Sequence, residues 1–227
     1  DIADFVGDSL ELSQQAAKTD AAVIVFCGVH FMAETASIIS SDKTVLLPDL
    51  HAGCPMADMI TPQGLRAKKK EHPNAVVICY INSSAAVKAE SDICCTSSNA
   101  VRMVEKVPAD REILFVPDQY LGSFVAAKTG RELILWPGYC PTHARIQAQD
   151  ILRLRAEYPR AKVLVHPECR TEVAALADAV LSTGGMIRFA HESGAKEIII
   201  GTEIGILHRL RKENPGKRFI PVSEQAV

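Results

Sequence analysis

The sequence has few aromatic residues, almost no net charge and no long hydrophobic run. Phe, Trp and Tyr make up 5% of the 227 residues, and the formal net charge is −2. A nearly neutral chain gives no indication of nucleic acid or an anionic membrane surface as a partner. The longest aliphatic runs have the length of a strand, well short of the roughly 20 residues of a membrane-spanning helix. We therefore expect a cytoplasmic protein that binds neither membranes nor nucleic acid.

A signal peptide and an even number of cysteines are also absent. The chain starts at Asp1 without Met or a secretory pattern, which predicts that the printed residues are part of a longer protein. Seven cysteines in a chain of cytoplasmic character argue against a disulfide framework and for metal binding, catalysis or burial. Cys27 and Cys79 fall in apolar strand patterns, where we expect buried thiols.

Hydrophobic residues are plentiful and are arranged as alternating strands and helices. They make up 48% of the chain, enough for packed cores. Helical periodicity separates short β-branched runs, which predict strands at 22–26, 44–47, 75–79, 113–116, 133–136, 162–165, 197–200 and 218–222. This alternation is typical of βαβ units with parallel sheets. The predicted fold class is therefore α/β.

The strand–helix pattern repeats with a period of 86 residues. Three pairs of residues fall on equivalent positions: Tyr80 with His166, Ser97 with Thr183, and Cys54 with Cys140. The repeats are predicted at 1–73, lacking the first strand, at 74–159, and at 160–227, lacking the C-terminal end. The period also places a third cysteine loop at the end of the third repeat, with its Cys expected just beyond Val227. The predicted architecture is three pseudo-symmetric α/β/α domains with short parallel sheets around a central active site.

Cys54 and Cys140 are the strongest candidates for metal ligands. Each follows a strand and a glycine and precedes a proline, and proline also follows the last cysteine of ferredoxin-type cluster sequences. Three such loops on one axis would hold a [4Fe-4S] cluster and leave one iron without a protein ligand. An open iron of that kind can act as a Lewis acid. The alternative is that both thiols are structural residues that cap loops.

Polar residues follow the predicted strands at the edge where α/β folds bind ligands. Tyr80 and Asn82 follow one strand, and His166 and Glu168 follow its counterpart as a candidate acid/base pair. His143, three residues after Cys140, is expected to hydrogen-bond a bound substrate. Ser/Thr turns are expected to cap helices and to bind anions at the helix N-termini, namely Ser9, Ser97 with Ser98, and Ser182 with Thr183.

Several segments resemble the quinolinate synthase family over essentially the whole chain. They are GDSLELSQQA, PDLHAGCPMADM, CYINSSAAVKAESD, CTSSNA, GYCPTHA, LVHPEC and LSTGGM, in the order of the family. The resemblance implies a transferase of NAD biosynthesis with dehydration steps, and three α/β/α domains around a [4Fe-4S] cluster with three cysteine ligands. It also implies condensation of iminoaspartate with dihydroxyacetone phosphate to quinolinate, with loss of phosphate and water. An enzyme that produces iminoaspartate is then the expected functional partner.

The resemblance assigns a role to each matching position. Cys54 and Cys140 would bind the cluster, whereas Cys169 would not. Catalytic roles would fall to Tyr80, His166 and Glu168. Substrate contacts would come from Ser9, Phe31, Asn82, Ser97, His143, Ser182 and Thr183.

Two other functions also fit parts of this pattern. A non-catalytic iron–sulfur or redox-sensing protein would need the thiols but not Tyr80, Asn82, His166 and Glu168. A cluster-free phosphosugar-binding protein would use only the helix N-termini. Iron content and the visible spectrum of protein purified without oxygen would discriminate among the three.

Overall fold

Within residues 2–227, which the computed structural model describes, ten strands form three parallel sheets. The α/β prediction is therefore confirmed. The strands are β1 Val23–Val25, β2 Thr44–Leu46, β3 Val76–Tyr80, β4 Ile93–Cys95, β5 Ile113–Val116, β6 Ile134–Leu135, β7 Lys162–Val165, β8 Ala179–Val180, β9 Glu197–Gly201 and β10 Arg218–Pro221.

Eleven α-helices and one short 3-10 helix, Ala57–Met59, connect the strands in this part of the chain. None of these helices is both long and apolar enough to cross a membrane. The α-helices are α1 Ser9–Lys18, α2 His30–Ile39, α3 Pro62–Glu71, α4 Ala85–Ala89, α5 Ala100–Glu105, α6 Gln119–Thr129, α7 Pro141–Ala144, α8 Ala148–Glu157, α9 Thr171–Ala174, α10 Thr183–Glu192 and α11 Ile206–Glu213.

The first of two compact units runs to Pro117 and also includes Glu132–Gly138. It contains the β1–β2 pair and a four-stranded sheet of order β4-β3-β5-β6. On one face of the larger sheet, alternate residues of β3 and β5 pack against α3 and α4. Helices cover parallel sheets in this way and bury their strands. Helix α3 starts where Thr61 accepts a hydrogen bond from the Gly64 amide and Pro62 takes the first helical position.

The second unit consists of Asp118–Arg131 and Tyr139–Val227. Its sheet has the order β8-β7-β9-β10, the same arrangement as the larger sheet of the first unit. A shared detail accompanies the shared order: the Asp92 carboxylate accepts a hydrogen bond from the Val77 amide, and Asp178 accepts one from Val163. In both four-stranded sheets, an aspartate therefore links the start of the second strand to the first strand. The predicted repeat boundaries after residues 73 and 159 stay predictions.

All eight predicted strands are present, and the structure has two further strands that the sequence pattern does not predict. Strands β4 and β8 are three and two residues long, and they lie in segments where the sequence pattern predicts only helices and turns. Strands this short carry too little alternation to be recognised, and they form because the longer strand beside each one supplies the hydrogen bonds. The expected burial is correct for Cys79 and wrong for Cys27, which is exposed just after the end of β1.

One of the three predicted Ser/Thr helix caps is confirmed. The Ser182 hydroxyl accepts a hydrogen bond from the Gly185 amide at the start of α10, at 3.2 Å. The cap of α1 is instead Asp8, one residue before Ser9. The cap position of α5 is Asn99, two residues beyond Ser97, and its side chain accepts a hydrogen bond from the Thr96 amide. Asp is as good a cap as Ser and lies closer to where α1 begins, whereas the Asn99 side chain makes no capping hydrogen bond to α5.

Substituting Gly138 by alanine is expected to destabilise the protein by roughly 1–3 kcal/mol. A Cβ at this position would lie 2.5 Å from the Pro117 carbonyl oxygen, a backbone atom that cannot turn away. Gly53, the glycine before Cys54, is the matched control, because a Cβ there meets nothing nearer than 3.7 Å. Chemical denaturation should therefore detect the loss in Gly138→Ala and not in Gly53→Ala. Equal effects of the two substitutions would contradict the proposed close approach.

Candidate functional site

Cys140 occupies the N-cap of α7, in the second unit. Pro141 takes the first helical position, for which its fixed φ is suited, and the Cys140 carbonyl accepts a hydrogen bond from the Ala144 amide at 2.9 Å. The half-buried thiol has its pKa raised by burial and then by the negative charge of Glu168. A positive charge close to the sulfur would reverse this shift, as a metal ion does when it binds a thiolate.

His143 lies one helical turn beyond Cys140 and joins several polar groups. Its Nδ1 is 3.1 Å from Cys140 Sγ and 2.8 Å from Glu168 Oε2, and its Nε2 is 2.7 Å from Thr202 Oγ1. We assign the ring proton to Nδ1, because the carboxylate can only accept it, and the Thr202 hydroxyl then donates to Nε2. The buried imidazole is therefore held at both nitrogens in one orientation.

His166 and Glu168 follow the end of β7 and are both buried. The backbone amide of Glu168 donates to His166 Nδ1 at 3.3 Å, so the neutral ring carries its proton on Nε2. The His166 ring also stacks on His143, with 4.8 Å between the ring centroids. A carboxylate and two imidazoles with defined proton positions are a suitable set of groups for general acid–base chemistry.

Two further residues interact with His143 and Glu168 but were not predicted as site residues from the sequence. Thr202 follows the end of β9 and orients His143, and its position after the strand was the available signal. Asp118 caps α6 through its Oδ1, while Oδ2 is buried without a hydrogen-bond partner in the described part of the chain. Burial raises the pKa of Asp118 well above its ordinary value of 3.8, and the charge of Glu168 raises it further.

Cys140, His143 and Glu168 offer donor atoms that are suitable for a metal ion. One ligand atom each from Cys140, His143 and Glu168 lies within 4.8 Å of the others, and no other such group of three occurs in residues 2–227. Sulfur and imidazole donors are those that iron and zinc prefer. Cys169, by contrast, is buried in the core of the second unit, with its Sγ 3.5 Å from the Gly201 carbonyl oxygen.

The remaining candidates of the second unit lie beside this strand edge. Ser182 and Thr183 start α10 directly after β8, the neighbour of β7. The backbone amide of Leu181 donates to the carbonyl of Val165, the last residue of β7. The chain thus places the N-terminus of α10 one strand away from His166.

Six predicted site residues belong to the first unit. Tyr80 is the buried last residue of β3, and Asn82 follows it, half-buried. Phe31 is buried near the start of α2, with the Lys88 ammonium 5.4 Å from its ring centroid. The others are half-buried: Ser9 in the first turn of α1, Cys54 before the 3-10 helix, and Ser97 in the turn before α5.

Removing the His166 imidazole is expected to make the free energy of unfolding depend less on pH below neutrality. Burial lowers the pKa of His166 to about 4, whereas an unfolded histidine titrates near 6.5. Between these values the unfolded chain binds a proton that the folded chain does not. The free energy of unfolding therefore falls by up to about 3 kcal/mol as the pH drops through this window, and the contribution is fully present above it.

Chemical denaturation of His166→Gln at about pH 4.5 and 7 should thus show a smaller pH difference than the unsubstituted protein. His208→Gln, which removes an exposed histidine of the same unit, serves as the control and should keep the full difference. An unchanged difference in His166→Gln would contradict the buried neutral state of this ring.

Comparison with known proteins gives matches over the whole chain. Residues 1–227 match the family model described as quinolinate synthetase A protein. A quinolinate synthase of Dehalococcoides mccartyi is 65% identical over 227 residues, which are 100% of this chain and 75% of that protein. The quinolinate synthase of Desulforudis audaxviator is 60% identical over 96% of this chain and 72% of its own length.

A third relative is similar over the whole chain. The quinolinate synthase of Methanosarcina barkeri is 57% identical over 226 residues, covering 100% of this chain and 74% of that protein. Identity at this level over a full-length family match leaves no alternative family to consider. The chain belongs to the quinolinate synthase family, whose members are enzymes of NAD biosynthesis.

Proposed function

We propose that this chain catalyses the condensation of iminoaspartate with dihydroxyacetone phosphate to quinolinate, with loss of phosphate and water. The observation that carries the proposal is the group formed by half-buried Cys140 with buried His143, His166 and Glu168 at the end of β7 and the start of α7. It combines a metal-binding thiol with acid–base groups. Such a reaction needs both, since several protons move and a hydroxyl leaves.

The proposed cofactor is a [4Fe-4S] cluster with Cys54 and Cys140 among its ligands. Both thiols are half-buried in loops that lead into a short helix, and neither is packed in a hydrophobic core as Cys169 is. When bound, a cluster with one iron free of protein ligands would supply a Lewis acid for a substrate hydroxyl or carbonyl. The soft sulfur donors suit iron in such a cluster.

Glu168 and His166 are the proposed proton-transfer groups of the second unit. Glu168 Oε2 accepts the proton of His143 Nδ1 at 2.8 Å, so the carboxylate is kept in one rotamer. His166 keeps its proton on Nε2, from which it can donate to a departing oxygen. Because burial disfavours the imidazolium, the donor is a neutral imidazole. Tyr80 is the proposed third catalytic group.

Substrate carboxylates and the phosphate are proposed to bind at helix N-termini and polar strand ends. The α10 terminus begins at Ser182 and Thr183, and the positive end of its dipole attracts anions. Further substrate contacts are proposed for Ser9, Phe31, Asn82, Ser97 and His143. A partner enzyme that releases iminoaspartate would supply the substrate, and the cytoplasm is the proposed location.

Oxygen-free purification followed by iron analysis and a quinolinate assay tests this function. The protein should be brown, contain iron and acid-labile sulfide, and form quinolinate from dihydroxyacetone phosphate and freshly generated iminoaspartate. A brown protein without this activity would favour an iron–sulfur sensor. A colourless, iron-free and fully active protein would eliminate the cluster.

A further inference from the structure

Cys79 and Cys94 face each other on neighbouring strands of the first unit. They are partners in the parallel register of β3 and β4, so both side chains project from the same face of the sheet. Neighbouring strands are about 4.8 Å apart, which lies within the Cα separations of about 4.4–6.8 Å found in disulfides. The strand pairing therefore places the two Cα atoms at a separation that a disulfide can span.

The two thiols differ sharply in accessibility. Cys79 is fully buried and packs in a core cluster with Leu65, Val77 and Val87. Cys94 is exposed, because β4 is the edge strand of its sheet. A reagent in solution can therefore reach Cys94 directly, whereas Cys79 can react only with a partner that is already inside the fold.

The electrostatic environment makes Cys94 the more reactive of the two. The neighbouring Cys79 side chain and, less strongly, the positive charge of Lys88 together lower the pKa of Cys94 to about 7, against the opposing effect of desolvation. The same contact raises the pKa of Cys79, which stays protonated. Lys88 is held in place by a 2.9 Å hydrogen bond to the Thr35 hydroxyl. A larger share of Cys94 is therefore thiolate at neutral pH than of an ordinary exposed cysteine.

We propose that Cys94 and Cys79 form a reversible thiol-modification site, in which exposed Cys94 reacts with low-molecular-weight disulfides and buried Cys79 completes an internal disulfide. The pair is separate in sequence and in role from the proposed cluster ligands Cys54 and Cys140. None of the proposed catalytic or substrate-binding residues takes part in the exchange.

The small disulfide is the only oxidant that this thiol–disulfide exchange needs. The Cys94 thiolate attacks one sulfur of the small disulfide, forms a mixed disulfide and releases one small thiolate. Cys79 then loses its proton and attacks the Cys94 sulfur, which forms the Cys79–Cys94 bond and releases the second small thiolate. The protein dithiol is oxidised by two electrons and the small disulfide is reduced to two thiols.

Peptide mapping of the whole protein under oxygen-free conditions tests the proposal. The protein is treated with oxidised glutathione, alkylated with iodoacetamide and digested with trypsin without a reductant. Trypsin separates Cys79, in the peptide of residues 71–88, from Cys94 and Cys95, in that of residues 89–102. We expect these two peptides to be linked, and the link to disappear after dithiothreitol.

Single substitutions identify the sulfurs. Cys94→Ser should abolish the link, whereas Cys79→Ser should leave a stable glutathione adduct on Cys94. Cys27→Ser, which removes another exposed thiol of the same unit, should keep the link. A link that persists in Cys94→Ser, or a wild-type protein that stops at the glutathione adduct, would overturn the proposal.

A second measurement does not depend on the folding of any variant. The rate of Cys94 alkylation in the unsubstituted protein should rise with pH to a midpoint near 7. An ordinary exposed thiol has its midpoint near 8.5. A midpoint above about 8 for Cys94 would show that Cys79 and Lys88 do not activate it, and the proposed attacking role would be wrong.

Discussion

Glu168→Gln is expected to lower the rate of quinolinate formation by about 10²–10⁴-fold, the range for losing a general acid or base. The amide is close in size to the carboxylate but cannot take up a proton at neutral pH. It would also lose the charge that His143 Nδ1 contacts at 2.8 Å, so the imidazole would be less firmly oriented. The turnover number should fall more than the Michaelis constant changes, because the group acts on the reaction rather than on binding alone.

Glu172→Gln is the matched control for this substitution. Glu172 is an exposed carboxylate in α9, in the same unit, and contributes nothing to the buried group. Its substitution should leave the rate unchanged, and both variants should keep their iron content and circular dichroism spectrum. Full turnover by Glu168→Gln would refute the proposed proton-transfer role.

Cys140→Ser is expected to remove most of the bound iron and to abolish quinolinate formation. A serine hydroxyl is a harder and far less acidic donor than a thiol, so it is a poor ligand for iron in a sulfur cluster. Losing a direct ligand should cost at least the roughly 10–100-fold in metal affinity that outer partners contribute. Iron content, acid-labile sulfide and the visible absorption of protein purified without oxygen measure the effect.

Cys169→Ala is the comparison that makes the result specific. Cys169 lies in a sequence, HPEC, that also resembles a ligand loop, but its side chain is buried in a hydrophobic core. This variant should keep its iron and lose only some stability, because a small cavity replaces the sulfur. Iron retained by Cys140→Ser and lost from Cys169→Ala would reverse the proposed ligand assignment.

The fold class could be predicted from the sequence because parallel sheets leave a strong local pattern. Runs such as Ile198-Ile199-Ile200 are buried on both faces, and a continuous apolar run is the record of that burial. The 86-residue period followed from the same pattern, and the common Asp92 and Asp178 hydrogen bonds now give it a structural counterpart. Strands β4 and β8 could not be predicted, since partners elsewhere in the chain create them.

The sequence by itself determined which residue types follow the strands, and so nominated His143, His166 and Glu168. Only the tertiary structure decided that His143 contacts Glu168, 25 residues away, and Thr202, 59 residues away. It also brought the carboxyl of Asp118 into the electrostatic field of Glu168. The physical reason is that strand order joins the ends of β7 and β9 at one edge, and hydrogen-bond geometry then selects the partners. Local patterns encode the strands, whereas these contacts depend on how the strands are ordered in the sheet.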